Sequence, residues 1–300
     1  VRRVDLALAC VLDLAIGDPP WSPHPVRLFG AVIARAERVR DADASPRRQL
    51  IEGAVLTTLL AAAAYGVGRN VARRSRAAGI IAAASTLAAR DLDTAVARVQ
   101  AALECEDIAA ARAALSQVVG RDVERLDARG IAAAALETLA ESFADGVVAP
   151  LFWLRVAGVG GATAFKAIST LDSMIGHREL PHTYFGRVAA RADDVANYIP
   201  ARIAAAAIVA AARSPRAAAV ARRDAAAHAS PNGGWPEAAL AGALGVRLGG
   251  DAWYDGVLAS RAVLGAEFTP PYVADIARGR ALLRRAAAIA AAVAIASAAP

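Results

Sequence analysis

Residues 50–68, LIEGAVLTTLLAAAAYGVG, form an apolar run of about nineteen residues. That is the length an α-helix needs to cross a hydrocarbon core of about 30 Å at a rise of about 1.5 Å per residue. A lipid-embedded segment must satisfy its own backbone hydrogen bonds, and a helix is how a single segment does so. The RNVARRSR stretch that follows is basic, and residues 77–89 are apolar again but short for a full crossing. The pair is expected as a helical hairpin with a basic tip. Further apolar segments lie near residues 4–16, 147–165, 199–212 and 286–298. The segment at 147–165 contains Pro150, Arg155 and a cluster of Gly158, Gly160 and Gly161, which predict a broken or re-entrant helix. Residues 4–16 resemble a signal-peptide core, but Asp5 and Asp13 interrupt it and no small-residue cleavage pattern follows. The segment is expected to be retained as an embedded helix or a short anchor.

The composition agrees. At 57% hydrophobic, with mean hydropathy +0.38 and 21% charged residues, the chain exceeds the apolar content of about 45–50% usual for soluble domains. Much of the excess is alanine, which favours helix and close helix packing. No strand-like alternation of useful length and no internal repeat appears. The expected fold is all-α: a polytopic membrane protein, a helical bundle with several transmembrane or re-entrant helices and polar helical or loop segments, built as one membrane-embedded domain over 1–300. Residues 91–139 read as soluble amphipathic helices broken near Gly120 and Gly130, and residues 214–279 as polar and loop-rich. If every apolar segment crossed, the polar stretches flanking 147–165 would face opposite compartments, so fewer crossings than apolar segments are expected. The net charge of +6 is carried by scattered arginines without an aromatic platform. That argues against nucleic acid and suits loops held on the cytoplasmic face. Cys10 and Cys105 have neither disulfide-framework nor zinc-site spacing.

Four polar clusters carry the candidate chemistry. In DLAIGDPPWSPHPV, residues 13–26, prolines 19, 20, 23 and 25 stiffen a turn with Asp18, His24 and Trp21, the last a natural interfacial anchor. In ETLAESFADGVVAP, Glu137, Glu141 and Asp145 recur every four residues and so share a helical face. Aligned carboxylates repel unless a cation or arginines neutralise them, and hard oxygen ligands suit Mg²⁺. In KAISTLDSMIGH, Lys166 is the chain's single lysine among 34 Lys and Arg. An ammonium is a compact point charge able to meet a phosphate oxygen in ways a guanidinium does not. Downstream, Arg187 and Arg191 stand four apart, and Asp193 and Asp194 precede Asn197 by four and three residues. This pattern fits phosphate and metal contacts or an ordinary salt-bridge ladder. The fourth cluster, HASPNGGWPEAALAGALGVRLGG, joins Ser230, Asn232, Gly233 and Gly234 to Glu237 and Arg247, a glycine-rich turn leading into a helix start of the kind that cradles anions.

The runs GDPxxxPHPV, ESxADGVxAPLFW, KAxxTLDSMxG, FGxxAARxDDxxNxIPAR and SPNxGxPEAALAGALGVRLGG occur here in order, between about residues 5 and 256. Together they resemble the CobD or CbiB family of cobalamin biosynthesis, the adenosylcobinamide-phosphate synthases. Ser169 and His177 depart from residues common in that family. The resemblance implies a multi-pass membrane enzyme of the late corrin pathway, working at the cytoplasmic side beside other membrane enzymes of that pathway. It implies ATP-dependent amide formation between adenosylcobyric acid and (R)-1-amino-2-propanol or its O-phosphate, with a broad groove for the corrin. On that reading Glu141, Asp145, Asp193 and Asp194 hold Mg²⁺ on the phosphates of the cosubstrate ATP. Lys166 and Arg191 offset charge on the transferring phosphoryl group, and His24 deprotonates the attacking ammonium. Ser230, Asn232, Gly233 and Arg247 receive a phosphate. The competing readings are a prenyl- or alcohol-phosphotransferase, for which a second aspartate-rich motif is lacking, and a non-catalytic membrane sensor or transporter.

Overall fold

A computed structural model describes residues 1–18, 24–41, 43–176 and 182–299. Prolines 19, 20 and 23, Trp21 and His177 lie outside the described residues. The helices in chain order are α1 (Arg3–Ile16), α2 (Pro25–Val39), α3 (Pro46–Arg74), α4 (Arg76–Ala84), α5 (Ala89–Glu104), α6 (Ile108–Leu115) and α7 (Ala128–Phe143). A π-helical turn, Ala144–Val148, joins α7 to α8 (Ala149–Ile175), followed by α9 (Arg187–Ala212), α10 (Pro215–Asp224), α11 (Gly234–Leu244) and α12 (Val273–Ser297). Between α11 and α12 lie β1 (Leu248–Gly249), β2 (Ala252–Tyr254), β3 (Val257–Ala259) and β4 (Val263–Leu264). β1 pairs antiparallel with β4, and β2 with β3. These short pairs have too few residues for the alternation that announces a strand.

Local chemistry explains where expected and observed boundaries part. The anticipated loop at RNVARRSR is helical as far as Arg74, because arginine is a good helix former and nothing before Ser75 breaks the run. Ser75 turns extended at φ −149° and its side chain accepts the N–H of Ala78 at 3.2 Å, ending α3 and capping α4. Gly130 does not break a helix; it sits in the first turn of α7 and donates its N–H to the capping Asp127 at 2.8 Å. The break expected within 147–165 falls at Gly158, whose φ of 67° is left-handed and open to glycine at no steric cost. The apolar stretches at 199–212 and 286–298 are parts of the longer helices α9, with Pro200 inside it, and α12.

Cα packing divides the chain into two compact units. The first comprises Val1–Ala88, Ala149–Asn197 and Val293–Pro300. Its core gathers Ile33, Leu60, Ala167, Leu171, Ile175 and Phe185. Here α3 lies directly against α8. A side chain at Gly160 would meet the Tyr65 carbonyl at 2.8 Å, and one at Gly68 would collide with Thr163, so small residues set this contact. Arg3 N–H to Ala299 O, 2.9 Å, and Arg155 Nε to Ser297 O, 2.7 Å, fix the C-terminal segment to this unit.

The second unit comprises Ala89–Val148 and Tyr198–Ala292. Its central helix is α7, buried from Ile131 through Ala140 along most of its surface. Gly279 of α12 sits against Leu136, where an added Cβ would lie 2.5 Å from Leu136 Cδ2. Arg280 and Arg284 of α12 both pair with Asp93 of α5, at 3.0 and 2.7 Å. Asp122 accepts the N–H groups of Asp255 and Gly256 at 3.1 and 2.8 Å, holding the turn between β2 and β3.

Three helical stretches are long and apolar enough to cross a membrane: Pro46–Arg74, Ala128–Ile175 and Arg187–Ala212. The protein is therefore an all-α membrane protein with two short antiparallel strand pairs. In α3 only 17% of the most apolar window is buried, against 61% and 44% in the other two, so its apolar window is the least covered of the three.

Candidate functional site

In the first unit a pocket of about 370 Å³ is lined by Asp18, His24, Arg27, Lys166, Ser169 and Thr170, among others. The α8 contribution follows from helical spacing: Lys166, Ser169, Thr170 and Ser173 recur at three- and four-residue intervals and form one stripe. Thr170 Oγ1 donates to Lys166 O at 2.7 Å and Ser173 Oγ to Ser169 O at 2.9 Å. Their hydroxyl protons thus point into the helix. Across the pocket, buried His24 precedes the first turn of α2, with Pro25 at the N-terminal helical position. Its Nε2 stands 3.0 Å from Asp18 Oδ1. Lys166 and His24, which the sequence only suggested separately, are thus neighbours. Asp18 and His24 also border an apolar cavity of about 820 Å³ walled by Leu12, Ile16, Val32, Leu60 and Val67.

Arg191, Asp193 and Asp194 belong to the same unit but do not line the Lys166 pocket. The Arg191 side chain is 75% exposed and reaches Asp194 at 3.6 Å. Asp193 accepts from Asn197 Nδ2 at 3.0 Å. This segment of α9 is built as a local ladder of polar side chains along its own helix.

The second unit gathers a different set. Glu137 on α7 is 2% exposed; it accepts from Arg121 Nη2, from Arg261 Nη1 at 3.1 Å and from the Gly249 N–H at 2.8 Å. Arginines neutralise this carboxylate, one of the two outcomes the sequence allowed. Glu141 is exposed one turn on, and Asp145 stands in the π-helical turn, so the four-residue spacing no longer keeps it in line with the other two.

Facing α7, the SPNGG turn folds on itself. Ser230 Oγ accepts the N–H groups of Asn232 and Gly233, both at 3.2 Å. The expected anion cradle therefore takes another form, because those two donors are spent inside the turn. Arg202 reinforces it from α9, with Nη1 3.3 Å from Asn232 Oδ1 and its guanidinium stacked 3.6 Å over the Tyr198 ring. Arg247 lies outside this arrangement: its side chain is exposed, and its N–H donates to Thr269 O at 2.9 Å.

Two more residues complete the cluster: Glu237, which the fourth sequence cluster included without a role, and His228, which opens that run. Glu237, in the first turn of α11, is 1% exposed, with Oε1 3.5 Å from His228 Nε2. Burial, reinforced by the Glu137 and Glu141 carboxylates, holds its carboxyl well above the usual glutamate range. His228 Nδ1 accepts the Ser230 N–H at 3.1 Å, and its Nε2 lies 3.3 Å from Arg261 Nη2. Burial and then the Arg261 guanidinium push its pKa down, favouring the neutral ring. Burial opposes charge on Arg261 too, but Glu137 beside it prevails and holds its pKa up. Arg121 and Arg261 reach Glu137 across 16 and 124 residues, a separation that local pattern does not convey. Glu237 had a visible cue, an acidic residue inside an otherwise apolar WPEAALAGAL run.

The family described as CobD/Cbib protein matches residues 6–283. The chain belongs to this family. It is 45% identical over 294 residues to a "Cobalamin biosynthesis protein CobD" of Rhodobacter capsulatus, covering 94% of this chain and 93% of that protein. A protein of the same name from Pelobacter propionicus is 43% identical, with 87% and 84% covered, and one from Rhizobium meliloti is 41% identical, with 84% and 83% covered. No solved structure matches. Both clusters described above, around Lys166 and around Glu137, lie inside the matched span.

Proposed function

We propose that this protein acts in cobalamin biosynthesis as an ATP-dependent ligase. It joins a propionate carboxyl of adenosylcobyric acid to the amine of (R)-1-amino-2-propanol or its O-phosphate, giving adenosylcobinamide or its phosphate. The observation that carries this reading is family membership over nearly the whole chain, with relatives named as cobalamin biosynthesis proteins.

A carboxylate is a poor acyl donor because it would have to expel oxide. In this reading a carboxylate oxygen attacks the γ-phosphorus of ATP and ADP leaves. The amine nitrogen then attacks the acyl carbon of the resulting acyl phosphate, and phosphate leaves. Lys166, with Arg27 at the same pocket, offsets charge on the transferring phosphoryl group, an electrostatic term that often dominates such catalysis. His24, whose Nε2 stands 3.0 Å from Asp18 Oδ1, lines the same pocket and is the group we assign to take the proton that nitrogen sheds as the amide forms. The exposed Arg191 and Arg247 are suited to drawing in anionic substrates rather than to touching the reacting atoms.

The four carboxylates expected to bind Mg²⁺ do not fit a resident site. Asp193 and Asp194 are engaged along α9, and among the described residues no three His, Cys, Asp or Glu groups converge as metal ligands. Magnesium in this reading enters on the phosphates of ATP, and the protein works as a multi-pass membrane enzyme open to the cytoplasm, where ATP is found. Purified protein given adenosylcobyric acid, aminopropanol or its phosphate, ATP and Mg²⁺ should form the amide and release ADP and phosphate. Release of AMP and diphosphate, or no amide with either amine, would reject the reading.

A further inference from the structure

Gly233 has right-handed helical backbone angles, φ −56° and ψ −36°, where alanine is preferred to glycine. Backbone conformation therefore does not explain the glycine. Space does. A Cβ added there would stand 3.2 Å from His228 Cε1, 3.4 Å from Glu141 Oε1 and 3.5 Å from Glu237 Oε1. Three polar side chains, from the turn before the loop, from α7 and from α11, converge on the bare face of this residue.

The cluster contains an unmet demand. Glu237 is 1% exposed, and its Oε2 has no hydrogen-bond partner. Buried carboxyl oxygens normally have one, so this oxygen aims at something that completes it. The neighbouring Glu137 is already answered by Arg121, Arg261 and the Gly249 N–H, which leaves Glu141 and Glu237 to act together. Glu141 is exposed and supplies the solvent-facing edge.

The chemistry of the occupant follows from what the cluster offers. Glu141 and Glu237 present carboxyl oxygens as acceptors, while both His228 nitrogens and the nearby Arg261 are already engaged. Burial favours the neutral form of Glu237, and a cation beside it favours its carboxylate. A divalent metal lacks a ligand set, since no three His, Cys, Asp or Glu groups among the described residues are placed for one. A primary ammonium carries three N–H donors, no acceptor and one positive charge on a compact head. We propose that Glu141 and Glu237 form a recognition pocket for a primary ammonium group, walled by His228 and kept open by Gly233. The proposal rests on the ligase reading only for which amine fills the pocket in the cell; the binding itself does not depend on it.

The test uses the full-length protein in lipid nanodiscs, without ATP or corrin, and titrates 1-amino-2-propanol by calorimetry beside propane-1,2-diol, which lacks the ammonium. The amine should bind and the diol should not. Glu237→Gln and Gly233→Ala should each weaken amine binding at least tenfold, about 1.4 kcal/mol, with the circular dichroism spectrum unchanged. Gly233→Ala keeps the pocket's polar groups and an allowed backbone, so it tests the space alone and serves if Glu237→Gln fails to fold. Equal binding of amine and diol, or undiminished amine binding in a folded variant, overturns the pocket. Amide formation with an unchanged KM for the amine in both variants also overturns it, while leaving the ligase reading intact. Amine binding that is lost in the variants of a protein that forms no amide upholds the pocket and rejects the ligase reading.

Discussion

In the first unit, the charged groups of the candidate pocket stand around open space: Lys166 is half-buried, Arg27 is exposed, and hydroxyls and an Asp18–His24 pair fill the walls. In the second, Glu137, Glu237 and His228 are packed inside the helices with Arg121 and Arg261. The first arrangement leaves charge available to a ligand at small cost in stability, because water still solvates it. The second takes charge out of water and holds it only by mutual satisfaction, so each member depends on the others. Substitutions in the first unit should therefore change catalysis far more than folding, and those in the second should change both.

The largest effect is expected at Glu137. Glu137→Ala leaves Arg121 and Arg261, with side chains only 12% and 15% exposed, without their carboxylate. Breaking a buried pair of this kind costs about 3–5 kcal/mol. Unfolding of the detergent-solubilised protein by graded denaturant should show that loss; a change below about 1 kcal/mol would mean that water already reaches the cluster.

Next is Lys166. Replacing it with arginine preserves the charge but not the compact ammonium, and turnover should fall at least about tenfold, or ~1.4 kcal/mol in barrier, while the melting temperature stays put. Near-normal turnover would make the lone lysine an accident of composition and erase the functional half of the contrast.

The pH response separates the buried cluster from an ordinary surface pair. Glu237 has a raised pKa, through burial and then the Glu137 and Glu141 carboxylates, relative to its usual 4.5. The neutral form is the one the fold favours, so its contribution is whole below that usual value and is lost as pH rises through the raised one. Thermal stability should decline as pH rises from the usual 4.5 towards the raised value, and Glu237→Gln, neutral throughout, should flatten the decline. Asp93 gives the opposite sign. Burial resists its charge, but hydrogen bonds from Arg280 and Arg284 prevail and lower its pKa from 3.8, so its contribution is lost as pH falls. Asp93→Asn should be the mildest change, about 1 kcal/mol or less at neutral pH, read from the same melting curves.

What the sequence conveyed divides along the same line. Helices announced themselves through apolar runs, whereas the caps Ser75 and Asp127 went unread, and the Lys166 stripe follows from residues spaced along a single helix. A break within 147–165 was expected from Pro150, Arg155 and the glycine cluster, and glycine's freedom to adopt positive φ places it at Gly158. The buried cluster stayed hidden because its partners meet across the chain: nothing near Arg261 indicates that it will find Glu137, 124 residues away. The SPNGG turn looked like an anion cradle because composition shows that N–H donors are exposed to choice, not that Ser230 Oγ will take them. Basic residues were equally hard to read as loop or helix, since RNVARR continues α3 instead of ending it.

The central claim is that this fold activates a corrin carboxylate by phosphoryl transfer before the amine attacks. Adenosylcobyric acid labelled with ¹⁸O in the reacting carboxyl should be incubated with the protein, ATP, Mg²⁺ and the amine, and the released inorganic phosphate analysed by mass spectrometry or ³¹P NMR. One labelled oxygen appearing in phosphate with each amide formed is the predicted result. Amide formation with unlabelled phosphate, or with the label in AMP, would contradict it.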